Sequence, residues 1–207
     1  MNRHNNSGWQ LPLCRPGPLA LLGCAFLLGG ALGAAMGGLL SQESAAALGD
    51  YLQDYLTLAR DGQIRPELGS MLWEQLRFFL GTAVLGVTVL GVAGVPVLFA
   101  LRGALLAFST AGICRACGLP GLPGAFLLFG LPALLWAPVL FVAGAQSMEG
   151  ALFLLRRLME GGRSGPPPYS APYWGRLGLC AAALCLCVVL EYLASPALLA
   201  LAAQLML

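Results

Sequence analysis

Residues 18–40, PLALLGCAFLLGGALGAAMGGLL, hold no charged side chain and no Asn, Gln or His. A helix rises about 1.5 Å per residue, so this run is long enough to cross about 30 Å of hydrocarbon. Comparable runs recur at 78–101, 103–118, 125–146 and from 177 onward. With 58% hydrophobic and 10% charged residues in 207, the chain lies far below the roughly 25% charged content of soluble domains. Such a sequence folds in lipid, where only helices and closed barrels satisfy every backbone amide, and its run lengths are helical. The expected fold is all-α: a polytopic helical bundle with about five transmembrane helices. A segment at 1–17 precedes a single membrane domain at 18–207, and spans fall near 18–40, 78–101, 103–118, 125–146 and 177–195.

The first run follows Arg3 and Arg15, so it has the basic flank of a signal peptide. Its length and the membrane-like remainder favour an uncleaved first helix. Gly29, Gly33 and Gly37 recur every four residues within it. Such a stripe admits a second helix at close range, and packing within the chain is the expected use.

The largest polar block, 41–76, carries Glu43, Asp50, Asp54, Asp61, Glu67 and Glu74. Leu48, Leu52, Tyr55 and Leu56 recur at helical spacing, with Tyr51 and Leu58 beside them. Asp61-Gly62 ends that helix, and Pro66 suits the first turn of the next, which should run on into the membrane. The expectation is a small external helical cap with an apolar and an acidic face. Pro96, Pro132 and Pro138 interrupt the later runs, GLPGLPG at 118–124 reads as a turn, and 160–176 reads as a Pro-rich loop.

All eleven basic residues are Arg, scattered along a chain of net charge +2, which is no nucleic-acid surface. Five spans place Arg3, Arg15, Arg102, Arg156, Arg157, Arg163 and Arg176 on the cytoplasmic side. The acidic block, Arg115 and the C-terminus then lie outside. If 103–118 did not cross, the cluster at 156–176 would fall outside, against the positive-inside bias.

No catalytic constellation is visible. The one His is His4, no phosphate-binding loop or zinc motif occurs, and Cys114-x-x-Cys117 stands without a second ligand pair. Cys14 and Cys24 border or enter the first run, and Cys180, Cys185 and Cys187 read as small core residues. The expectation is no enzyme, no metal and no cofactor. The conspicuous residue is Glu191, a carboxylate inside CVVLEYLASPALLAL, with Pro196 following. Measured from Leu177 it lies about 21 Å along the last span, in its outer half. Intramembrane carboxylates face partners or stay protonated. Ser195 can satisfy the carbonyl that Pro196 frees, the helix should bend or stop there, and the tail should lie on the interface or the bundle. Broken helices and a membrane carboxylate also suit a permease-like transport subunit. Further charges facing Glu191 would favour that reading, and Arg115 and Glu149 are the candidates.

RGALLAFSTAGI at 102–113, GLPALLWAPVLFVAGAQSMEGALFLLRRLM at 130–159 and the closing LEYLASPALLALAAQL at 190–205, following the acidic block, resemble the stage II sporulation protein M family. The resemblance covers about residues 18–207, with Glu191-x-x-x-Ser195-Pro196 its most telling element. Arg102, Gly103, Pro132, Pro138, Glu191, Ser195 and Pro196 fall on family-like positions, and Arg102, Glu191, Ser195 and Pro196 are the expected structural, intramembrane polar set. The Arg-only usage and the CxxC depart from the pattern. The resemblance implies a multi-pass protein of the bacterial cytoplasmic membrane, in the mother cell at the engulfing septum. It implies a scaffold for two external peptidoglycan-degrading enzymes, without chemistry of its own. Asp50, Tyr51, Asp54 and Tyr55, with the tail after Pro196, are then the expected docking surface.

Overall fold

The computed structural model describes residues 16–60, 67–118, 121–160, 169 and 171–206, all of whose regular elements are helices. His4, Cys14, Asp61, Gly62, Pro66, Arg163 and most of the Pro-rich stretch lie outside the described residues. The helices are α1 (Pro16–Gly38), α2 (Gln42–Arg60), α3 (Leu68–Gly86), α4 (Gly91–Cys117), α5 (Gly121–Ala125), α6 (Leu131–Met159) and α7 (Ala171–Met206), with a π-helical segment, Phe126–Gly130, joining α5 to α6. Four stretches are long and apolar enough to cross a membrane: Pro16–Gly38, Gly91–Cys117, Gly121–Met159 and Ala171–Ala202.

The expected span at 78–101 is not one helix. The chain turns at residues 87–90, where the Val87, Thr88 and Gly91 amides make i→i−3 bonds and Thr88 Oγ1 donates to Leu85 O at 3.0 Å. Val87, Thr88 and Val89 are poor helix formers. Gly91 lets the tip close, because a Cβ there would strike the Leu85 backbone, and Gly86 lets residue 147 come close, because a Cβ there would strike Ser147. An unbroken apolar run therefore hides a hairpin. A second correction follows: 103–118 is no separate span but the C-terminal part of α4. Arg102 consequently closes nothing. It sits about 16 Å into α4, away from both helix ends.

α1 and α4 run parallel, because Gly29 meets Ala100, Gly33 meets Ala104 and Gly37 meets Ala111 and Phe108. A Cβ at Gly29 or Gly33 would run into the α4 backbone, and one at Gly103 into the Phe26 carbonyl. The glycine stripe is thus used within the chain, as its spacing implied. Arg115 donates to the Gly38 carbonyl, closing α1's C-terminus from α4.

α3 runs antiparallel to α4, with Leu85 against Gly91 and Gly94, and Gly81 against Leu98. α6 and α7 are antiparallel: Gln146 Nε2 donates to Tyr173 O at 2.8 Å, and the Cys187 thiol to Leu135 O at 3.3 Å. Between these helices lies a core built on Leu22, Phe79, Val95, Phe99, Trp136, Leu140, Met148 and Leu184. Tyr169 OH reaches Gly86 O at 3.1 Å from the segment ahead of α7. Burial, then the neighbouring Tyr173, pushes its phenol pKa up.

Three boundaries also differ from expectation. The turn at 118–124 is confined to its start: Gly118 has φ +67°, and α5 begins at Gly121. The run at 125–146 belongs to a continuous helical stretch, 121–159, loosened into the π-segment just before Pro132. Pro132 cannot donate into the i→i−4 ladder and its ring crowds the preceding carbonyls. α7 begins six residues before Leu177 and runs through Pro196 to Met206, so the helix does not stop at the proline.

Candidate functional site: a charged groove and an acidic helix face

Arg102 is held by two aromatic rings and a hydrogen bond. Its guanidinium lies between two aromatic faces, 4.5 Å from the Phe78 ring centre and 4.2 Å from that of Trp136. Its Nη2 donates to Gln75 Oε1 at 2.7 Å, while its Nε is buried without a partner. Three helices make this seat: Gln75 and Phe78 stand one turn apart on α3, Trp136 comes from α6, and Arg102 from α4. Stacking on aromatic faces costs a guanidinium less desolvation than an ammonium would suffer.

The seat forms one wall of a groove of about 350 Å³. Glu74, Arg77, Ser109 and Glu191 line it beside Arg102. Glu74 and Glu191 both lie close enough to act favourably on the Arg102 charge, and Arg77 acts against it. The sequence named Arg115 and Glu149 as the charges to face Glu191. The structure replaces them: Arg115 is taken up at the end of α1, Glu149 lines a different cavity, and Arg102 with Glu74 faces Glu191. Arg102 was expected among the structural polar residues with Glu191, but the misplaced turn put it at a helix end rather than inside α4. With residues 78–101 read as one span, Arg102 looked like a flanking loop charge. Glu74 and Arg77, three residues apart on one helix face, were the other available signal.

The end of α7 is satisfied locally. Ser195 Oγ donates to Tyr192 O at 2.8 Å, the carbonyl that residue 196 would bond if it were not proline. Beyond Pro196, Leu199 and Ala202 pack with Leu52 of α2 and Leu128. α2 is capped by Ser41, whose Oγ accepts the Ser44 amide at 3.2 Å. Its apolar side rests on α4 and α7, with Ala45 buried and Leu48 over Gly112. Asp50, Tyr51 and Asp54 are exposed, and Tyr51 stacks on the half-buried Tyr55 with ring centres 6.5 Å apart. The expected cap at 41–76 is therefore two things: α2 lies on the bundle, and 68–76 is the first part of α3, running along α4. The four sequence-selected residues share α2, and the α7 tail joins them, whereas Arg102 and Glu191 belong to the separate groove.

Cys114 and Cys117 are free thiols in the last turn of α4. Among the described residues no cluster of three or more His, Cys, Asp or Glu converges as a metal site would require. The chain matches no family model, no curated protein and no solved structure.

Proposed function

We propose that this chain is a membrane scaffold that anchors and localises peptidoglycan-degrading partner enzymes, during the septal wall remodelling and engulfment of sporulation. One observation carries the reading: α2 is held on the bundle by its apolar side and turns Asp50, Tyr51 and Asp54 outward, beside the α7 tail. An acidic face carrying aromatic side chains, fixed on a rigid base, is a docking surface with little ordering cost. The ordered resemblance of the chain to the stage II sporulation protein M family supports the same role and supplies the class of partner. In this reading α1, α3, α4, α6 and α7 each traverse the cytoplasmic membrane of the mother cell. The N-terminus is cytoplasmic, and α2 and the C-terminus are external. The antiparallel course of α3 between two parallel helices supports α3 as the return crossing. Replacing Asp50, Tyr51 and Asp54 together by Lys, Ala and Lys should abolish partner capture while membrane insertion is kept. Unchanged capture refutes this docking surface.

A second reading, a permease-like transport subunit, is favoured by the convergence of Arg102, Glu74 and Glu191 on one groove. Intramembrane ionisable groups mark substrate paths in transporters. Glu191→Gln separates the two: a scaffold keeps its partners with the charge removed, whereas a transport path loses flux.

A further inference from the structure

A cavity lies at the opposite end of the bundle from α2, where α1 begins, α6 ends and α7 begins. It measures about 530 Å³ and is lined by polar and apolar groups together. Glu149, Phe153 and Arg156 come from one face of α6, spaced four and three residues apart. Tyr173 and Arg176 come from the first turns of α7. The bond from Gln146 Nε2 to Tyr173 O locks these two helices together behind the cavity.

We propose that this cavity is a binding site for the headgroup of an anionic phospholipid, with the phosphodiester held between Arg156 and Arg176. The proposal is independent of the scaffold reading. Three observations carry it. The depth fits, because Arg156 lies in the last turn of α6 and Arg176 in the second turn of α7, at the edge of both apolar stretches. Basic pockets between helices at that level are where lipid headgroups bind. The charge fits as well: two Arg and Glu149 leave one surplus positive charge, which matches a singly charged phosphodiester better than a doubly charged phosphate monoester. The walls fit a lipid rather than a soluble anion. Phe153, Leu152 and Pro18 make the cavity's apolar side. From Arg176 an exposed stripe, Leu179 and Leu186, continues down α7 at helical spacing as a path for an acyl chain.

The test is native mass spectrometry of the full chain in mild detergent. It is given phosphatidylglycerol or phosphatidylcholine with identical acyl chains. The unaltered chain should retain phosphatidylglycerol preferentially, a comparison that needs no variant. R156Q or R176Q should each lower that retention about fivefold, and the double variant about 30-fold. R115Q, at the other end of α4, should leave it unchanged. Equal retention of the two lipids overturns the proposal, as does an unaffected double variant that elutes as a monodisperse species. Displacement of phosphatidylglycerol by an equal concentration of glycerol 3-phosphate would identify a site for soluble phosphates instead and overturn the lipid assignment.

Discussion

Ser195 Oγ donates to the Tyr192 carbonyl at 2.8 Å, and it does so because Pro196 has no amide proton to offer that oxygen. The serine satisfies the carbonyl that the proline leaves free, and the continued helix delivers Leu199 and Ala202 to α2. Ser195→Ala should therefore cost about 1 kcal/mol. In a Pro196→Ala background, where the backbone amide of residue 196 can reach Tyr192, the same change should cost nothing measurable. Unfolding in detergent of the four members of this double-mutant cycle reads the coupling. Equal costs in both backgrounds would mean that the serine acts elsewhere.

The α1–α4 contact makes a prediction within a single helix. Gly33→Val places a side chain in the Ala104 backbone, whereas Gly23→Ala meets nothing within 4 Å. The first should destabilise the bundle by about 3 kcal/mol or more. The second should be neutral or slightly stabilising, as Ala for Gly usually is in a helix. Thermal unfolding of the purified variants measures both.

Arg102 is seated by shape as well as charge. Arg102→Lys loses the two ring faces and the Gln75 bond geometry, and should cost about 1–2 kcal/mol. Arg102→Met leaves Gln75 Oε1 without its donor and removes the cation from the groove that Glu191 and Glu74 line, and should cost about 1–3 kcal/mol. Adding Glu191→Gln to Arg102→Met should recover part of that loss. No recovery would show that the two groups are uncoupled.

The hairpin tip at 87–90 and α2 should face opposite sides of the membrane if α3 is a crossing helix. In a chain with its seven native cysteines replaced by serine, Tyr51→Cys should react with an impermeant maleimide added to intact cells. Leu90→Cys, exposed at the tip, should react only after permeabilisation. Labelling of both from outside would mean that α3 does not cross.

Much of this architecture is legible in the chain. The uncharged run at 18–40, the glycine stripe and the amphipathic spacing of α2 each state their role, because run length and periodicity are local properties. Ser195 was readable for the same reason: its partner is three residues away. The hairpin at 87–90 was not. Gly86-Val-Thr-Val-Leu-Gly91 is as apolar as the helices it joins, and hydropathy does not distinguish an apolar turn between two helices from a helix crossing lipid. That one miss displaced Arg102 and merged two helices into one. It also concealed the charged groove, whose members lie on α3, α4 and α7 and meet only through tertiary packing.

In the proposed function the outward face of α2 binds external wall-degrading enzymes. A photo-crosslinking amino acid placed at Tyr51 of the full chain, in sporulating cells of the source organism, tests it most directly. Irradiation should join the chain to peptidoglycan hydrolases identifiable by mass spectrometry, and the same probe at Leu90 should capture none. Capture of no hydrolase from Tyr51, in cells where the protein is inserted and intact, would contradict it.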